Sequence, residues 1–370
     1  QQQMLRRINS IFIGVVTLLI TPHFTFGQSL KSDSLKQTYI QHGQPLTAIQ
    51  LAEILTLSNS DSAFHFLKQV NKKSLSEEDR IQFDRVKGRL LTVTNQYDSA
   101  VLVYTNLLRI LEGKPEYLSL EADILDNVGG IYLTLRENDQ SLNFLNQAKQ
   151  IREENGLESE LYKSYYSLGN FLYRTGKSRD AIDNYRKGLS LLNDISDTSF
   201  RANLNYMMGT AYNILKQNDS SIYFLLKAKV IYDQTNQIAS QINTANAIAQ
   251  AMMNDKRFSE AIPLLENNIK LLESNGDWQK YMAAYSRLSK AYEGLEDYKN
   301  ALTYQKLRYD TVVGFLVKQR TESVAKITED YRTDKQLDEA EETAIWATQR
   351  AKVFGGIAVG LILLLIISYL

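Results

Sequence analysis

The side chains here that could do chemistry fall into a sparse set and a recurring one. The sparse set is three histidines, His23, His42 and His65, and no two share the spacing at which one helix face grips a metal. The sequence has no His-Glu-x-x-His, no Gly-x-Ser-x-Gly nucleophile turn and no phosphate-binding glycine loop. It has no Cys, which removes thiolate ligands, a cysteine nucleophile and any disulfide framework. Acidic neighbours such as Asp123 and Asp126 are ordinary on exposed helices. The sequence thus points to no metal, no cofactor and no catalysis within these 370 residues.

The recurring set is Arg85 and Arg89, then Lys163, Tyr166, Asn170, Tyr173 and Arg174, then Asn203, Tyr206, Asn213, Asn243, Asn246 and Gln250. Amides can bond a peptide backbone, rings can pack its side chains, and Arg or Lys can hold a carboxylate. That is recognition chemistry. The plain alternative is a solvated polar face, since polar surface is the default.

What could position these groups is a periodic pattern. Small residues recur at Ala100, Ser141, Ala181, Ser221, Ala261 and Ala301, at intervals of 41, 40, 40, 40 and 40. Twelve residues before each stands another small one: Gly88, Gly129, Gly169, Gly209, Ala249 and Ser289. Three residues further on comes a large one: Leu91, Tyr132, Leu172, Tyr212, Met252 and Tyr292. Four residues past the second small position the column reads Tyr104, Leu145, Tyr185, Leu225, Leu265 and Gln305, with Tyr304 placed to stand in for the final polar member. Two antiparallel helices approach closely only where a side chain is nearly absent, and large neighbours fill the space beside the crossing. Asn95 with Tyr97, Asn138, Gly176, Asn218, Phe258 and Tyr298 mark the turn inside each pair. One pair cannot bury its apolar face alone, so the pairs must stack.

Composition agrees. Four Pro and 18 Gly in 370 residues favour long helices over strands and turns. Lys+Arg and Asp+Glu are both 42, so there is no global basic field to hold nucleic acid.

The pattern resembles the tetratricopeptide repeat, whose signature runs from a large residue through Leu-Gly and Tyr to Ala, an aromatic and Pro. The third copy matches best, with Tyr165, Leu168, Gly169, Ala181 and Tyr185; the sixth keeps Tyr285, Leu288, Tyr292, Tyr298 and Ala301. The resemblance covers about residues 80–310. It implies an all-α, right-handed TPR-like superhelical solenoid of antiparallel helix pairs, with a period of 40 in place of 34 and no closing Pro. The spacing of twelve inside each pair is conserved along the chain, so the surplus falls at the far ends of the helices and in the links. In such solenoids the first helix of each pair lines the concave face. The recurring set, with Asp123 and Asp126, then faces a groove that would take a peptide or protein ligand.

The ends differ from the middle. Residues 1–27 read as a secretory signal: Arg6 and Arg7, an apolar stretch from Ile8 to Ile20, and small Thr25 and Gly27 before a cleavage that leaves Gln28, with an uncleaved anchor as the rival reading. Gln1 to Gln3 precede the first Met and are read as non-native. Residues 28–79 hold N-terminal helices and a degenerate copy around Ala48 to Val70, with Ala63 off register. Residues 311–352 form a charged helical connector whose narrow stripe of Val312, Val313, Leu316, Val324, Ile327 and Tyr331 permits a homodimeric coiled coil or a solvated stalk. Residues 353–370 carry no charge and read as a transmembrane helix. No flanking charge follows, so the chain is expected to continue past Leu370 into the cytoplasm.

Signal, repeats, charged helix and membrane span in this order are similar to Bacteroidota-type sensors, whose exported repeat domain is joined across the membrane to a histidine kinase or DNA-binding output domain. The stretch from Ile327 to Gln349 looks like their juxtamembrane helix. The implied place is the inner membrane, with the repeats in the periplasm. A membrane-tethered scaffold for exported proteins, with no signalling output, is the competing reading.

Overall fold

The computed structural model describes the backbone of residues 43–56, 59–192, 198–273 and 278–369, with positions 35 and 39, and side chains within those stretches up to 272 and from 280 to 350. Helices dominate. A short pair comes first, α1 (Pro45–Leu55) and α2 (Ser60–Gln69). Six longer pairs follow: α3 (Glu77–Val93) with α4 (Tyr97–Leu111), α5 (Leu118–Leu135) with α6 (Asn138–Glu154), and α7 (Leu161–Arg174) with α8 (Ser178–Leu191). Then come α9 (Thr198–Ile214) with α10 (Asn218–Gln234), α11 (Ile238–Asn254) with α12 (Phe258–Glu273), and α13 (Trp278–Gly294) with α14 (Tyr298–Tyr369). Each pair packs on the next, so the core is a continuous seam and not one central cluster.

The crossings are built as the spacing predicts. A Cβ placed on Gly88, Gly129, Gly169 or Gly209 would fall under 3.0 Å from Tyr104, Leu145, Tyr185 or Leu225 respectively. The small column of the first helix therefore receives the large column of the second, and Tyr104, Tyr185 and Leu225 are fully buried there. The two large columns also compensate each other. Where the second helix supplies Leu145 or Leu225, the first supplies Tyr132 or Tyr212, stacked on Phe144 or Phe224 at 5.4 and 5.5 Å between ring centres. The last pair follows suit, with Tyr304 stacked on Tyr292 at 5.5 Å in place of a contact by Gln305. In the first four long pairs the bulky ring alternates between the two helices, whereas the fifth meets through Met252 and Leu265 and the sixth through rings on both helices.

The turns hold a surprise. In every long pair one residue adopts a left-handed backbone: Asn95, Arg136, Gly176, Lys216, Lys256 and Glu296. The following N–H returns to a carbonyl five residues back, as from Glu137 to Tyr132 and from Gln217 to Tyr212. Asn138, Asn218, Phe258 and Tyr298, marked as turn residues by sequence, are instead the first residues of the second helices. Gly176, and after it Asn95, are residue types that this conformation favours; Arg136, Lys216, Lys256 and Glu296 are not.

Ala48, Ala52 and Ala63 are fully buried between α1 and α2, so the short pair has small residues at its own contact, and Tyr39 packs edge-on against Phe66 of α2 at 5.5 Å. At the other end α14 packs through Ala301 and Tyr304 and then leaves the repeats as one continuous helix whose side chains are exposed through Arg350. Among the described residues no helix is long and apolar enough to cross a membrane. The backbone of α14 stays helical through 353–369, but the side chains of the expected span lie outside the described residues, as does the expected signal segment.

Candidate functional site

The first helices form the inner wall. α1 touches α3, and α5, α7, α9, α11 and α13 touch in succession even though a second helix intervenes in sequence each time. Contacts between every other element place those helices on the inside of the curve. The expected site residues all lie on them, but the structure uses them in three different ways.

At the start, Arg85 donates from Nη2 to Glu53 of α1 at 2.7 Å and from Nε to Gln82 at 2.9 Å. Arg89 is half-buried; burial pulls its guanidinium below the usual range, while Glu53 and Tyr104 offset part of that.

The next junction is an ion network. Arg152 of α6 is fully buried. It donates to Asp123 at 2.7 Å, to Asp126 at 2.7 Å and to Ser164 Oγ at 2.6 Å. Lys163 bridges Asp123 at 3.1 Å and Glu160 at 3.0 Å, and Ser119 donates to Glu160 at 2.8 Å. Burial pushes the Asp126 carboxyl up, with Arg152 offsetting part. Burial also opposes the charge on Lys163 and Glu160. For Lys163, Asp123 and Glu160 outweigh it and raise the ammonium. For Glu160, Lys163 and Ser119 outweigh it and lower the carboxyl. Asp123, Asp126 and Lys163 are therefore engaged with one another and with Arg152.

Sequence reasoning missed Arg152, though a signal existed. Eleven residues past the second small position of the first five long pairs the column runs Leu111, Arg152, Leu192, Tyr232 and Leu272, and each of these is buried. A polar residue in an otherwise leucine column needs a partner on the facing helix. The partner sits 29 residues earlier in both cases: Asp123 for Arg152, and Asn203 for Tyr232, whose hydroxyl donates to Asn203 Oδ1 at 2.7 Å.

That pairing corrects the expected role of Asn203, which is 2% exposed and holds the floor together. Tyr166 is likewise 4% exposed, beneath the groove and not facing it. Asn170 accepts from Tyr185 at 2.8 Å, and Arg174 donates to Thr134 at 3.3 Å. Burial pushes the hydroxyl of Tyr166 up to about 12, with Asn170 opposing, and raises that of Tyr173, with Thr210 opposing. Burial also takes Tyr206 up to about 12, reinforced by Tyr173 and Tyr166 and opposed by Arg287.

Further along, the wall opens. Asn213 accepts from Asn254 at 2.9 Å, Gln250 donates to Asn254 at 3.0 Å, and Asn246 accepts from Asn268 at 3.2 Å. Each of these amides keeps unused hydrogen-bonding capacity. Asn243 is half-buried and makes no hydrogen bond among the described residues. It occupies the same repeat position as Asp123 and Asn203, but the column that supplies their partners offers Leu272 here. Among the described residues no group of His, Asp and Glu could hold a metal ion.

Helix pairs in register, crossings on small residues and an inner wall of first helices define a solenoid of the tetratricopeptide-repeat type. Residues 162–191, the α7–α8 pair, match the family model of the tetratricopeptide repeat. No curated protein matches the chain by sequence. Among solved structures, a Rap protein complexed with Competence and Sporulation Factor is similar at a TM-score of 0.55 and 14% identity, over 81% of this chain and 90% of that one. Aspartyl phosphate phosphatase F from Bacillus subtilis is similar at a TM-score of 0.53 and 13% identity, over 76% of this chain and 74% of that one. Identities this low establish a shared fold alone.

Proposed function

We propose that this chain is the extracytoplasmic recognition domain of a membrane-anchored signal-transduction protein, and that its concave face captures a peptide or an extended segment of a protein. The observation that carries the reading is the unused amide capacity along α9 and α11, at Asn213, Asn243, Asn246 and Gln250. An extended backbone offers alternating donors and acceptors, which a ladder of amides on a rigid wall can match without ordering cost on the protein side. A similarly folded Rap protein is complexed with Competence and Sporulation Factor, which supports recognition as a use of this architecture.

The anchoring and signalling parts rest on the sequence and on α14. The uncharged run at 353–370 suits a bilayer, and the N-terminal segment suits export, which would set the repeats in the periplasm. α14 begins inside the last crossing and continues without interruption, so a shift in α13 is transmitted along a single helix towards the membrane, into a kinase or DNA-binding output domain. Two such helices side by side would make the homodimer.

Affinity capture from the envelope fraction tests the groove. Asn243→Ala with Asn246→Ala is expected to lose the captured partner while the far-ultraviolet helical signal stays. Unchanged capture would mean the concave face is idle. Protease treatment of spheroplasts tests placement: the repeats should be cleaved from outside, and full protection would defeat the periplasmic assignment.

A further inference from the structure

Among the described residues the repeats end on an apolar edge that nothing covers. In the third to fifth long pairs, the residue just after the second small position is Ile182, Ile222 or Ile262, each at most 8% exposed. The following pair covers this edge. Ile182 clusters with Leu204, Met207 and Ala211 of α9, and Ile262 with Leu288 and Ala291 of α13. Seven residues further on, Leu189 and Ile269 are partly buried against the same clusters. In the last pair these two positions hold Leu302 and Tyr309, where α14 runs on instead of turning back into another pair. They are 67% and 68% exposed. A solenoid ordinarily closes on a polar outer face, and this one does not.

The bare face does not stop with the repeats. At about 100° per residue, Val313, Val317, Val324, Ile327 and Tyr331 continue the line of Leu302 and Tyr309 along α14. All five are exposed. Ala301 and Tyr304, which pack towards α13, lie on the other side of the helix. The line is about 45 Å long, so what covers it is a long helix lying alongside. Charge favours a second α14. With Val317, Val324 and Tyr331 at one core position of a heptad and Val313 and Ile327 at the other, Asp330 and Lys335 flank the seam. In a parallel pair Asp330 of each copy then faces Lys335 of the other. Both are exposed, and Lys335 is held only by Glu339 of its own helix at 3.8 Å. Lys306 and Arg320 interrupt the line, and their long stems can lie along it with the charge in water. Beyond Tyr331 the core positions hold Asp334, Asp338 and Glu341, whose like charges oppose pairing.

We infer that a second copy of this chain covers the open edge, its α14 lying parallel to the first and in register with it from Leu302 to Tyr331. The parallel sense rests on the membrane-anchored reading above, since both helices must leave towards one bilayer. The contact goes further than a paired stalk, because the two copies join within the repeat domain. α13 then packs on one side of α14 and the second copy on the other, so a shift of α13 reaches the dimer contact directly.

The chain has no Cys, so single cysteine substitutions read the contact without background. In the full chain in mild detergent, Tyr309→Cys and Val324→Cys should each give a disulfide-linked dimer on oxidation. Self-links at both sites require a parallel pair, since an antiparallel one brings only one point of the helix against itself. Lys318→Cys, off the seam, and Asp338→Cys, past its end, should stay largely unlinked, because their Cα atoms lie beyond disulfide reach. Leu302→Lys with Tyr309→Lys should turn the dimer into a monomer in sedimentation while the helical signal stays, both side chains being exposed in the single copy. A link at Val324→Cys without one at Tyr309→Cys would leave a stalk dimer and overturn the covered edge. Equal linking at Lys318→Cys or Asp338→Cys, or a wild-type chain that sediments as a monomer, would overturn it too. Each of these results leaves capture by the groove untouched. Links at both seam sites in a chain that captures nothing would keep the contact and defeat the recognition reading instead.

Discussion

Arg152 and Arg287 are both arginines drawn inside the solenoid, and their surroundings are opposite. Arg152, where α5, α6 and α7 meet, is fully buried and meets two carboxylates and a hydroxyl within 2.7 Å. Arg287, half-buried on α13, meets one carbonyl of its own helix among the described residues. The backbone frame around them is the same repeat. The Nε of each is buried without a hydrogen-bond partner among the described residues, so the difference between them lies in what their other nitrogens meet. The first ties α5, α6 and α7 together; the second has no carboxylate partner among the described residues.

The sharpest way to break this comparison is to remove each charge. Arg152→Gln should cost about 3–5 kcal/mol of unfolding free energy, because Asp126 is then buried beside no cation. Arg287→Gln should cost nothing by the same urea titration. Equal losses would erase the distinction.

How far the sequence reveals this contrast depends on which helix carries the residue. Crossings were legible because they obey a simple steric rule: Gly169 and Tyr185 must meet, and they do. The expected groove residues do lie on the first helices, which touch in succession from α5 to α13. The state of each wall residue was not legible. Asp123 and Asn203 look like free groove groups until the second helix is considered, where Arg152 and Tyr232 replace Leu in a buried column. Their partners are set by packing between helices 29 residues apart, which periodicity within one helix cannot report. Arg287 escaped notice because the columns followed were those flanking the crossing by one, three, four and six residues, and it lies two residues before Ser289.

The amides give a second, smaller test. Asn203→Ala leaves the Tyr232 hydroxyl buried and unsatisfied, and should cost about 1–3 kcal/mol. Asn243→Ala occupies the same column with no partner to strand, and should stay within about 0.5 kcal/mol. Thermal melts of the two variants would show the ladder's division into floor and wall. Matching losses would mean that Asn243 has a structural partner as well.

Acidity probes the saturated side alone. The folded Glu160 carboxyl is lowered, so its contribution is complete above its ordinary value of 4.5 and disappears as pH falls through the folded value. The Lys163 ammonium is raised, so its contribution is complete below 10.5 and disappears as pH rises through its folded value. The bridge between α5 and α7 is therefore at full strength through the neutral range. Glu160→Gln should flatten the acid limb of the stability profile by about 1 kcal/mol, read by urea midpoints between pH 6 and pH 3. An unchanged acid limb would show that the bridge contributes nothing.

The smallest test asks whether the scaffold really is the same on both sides. Arg136 follows α5, beside the ion network, and Lys216 follows α9, beside the open wall. Both hold left-handed backbones, at φ 66° and 57°. A side chain in that conformation costs about 1 kcal/mol relative to glycine, partly returned because glycine loosens the unfolded chain. Arg136→Gly and Lys216→Gly should each therefore stabilise by about 0.5 kcal/mol, and by the same amount. Both residues are exposed, so no packing contact confuses the reading. Equal gains would place the whole contrast between Arg152 and Arg287 in side-chain partners. A gain at one turn and a loss at the other would mean that the two junctions differ in backbone, and that the open wall is a property of the scaffold itself.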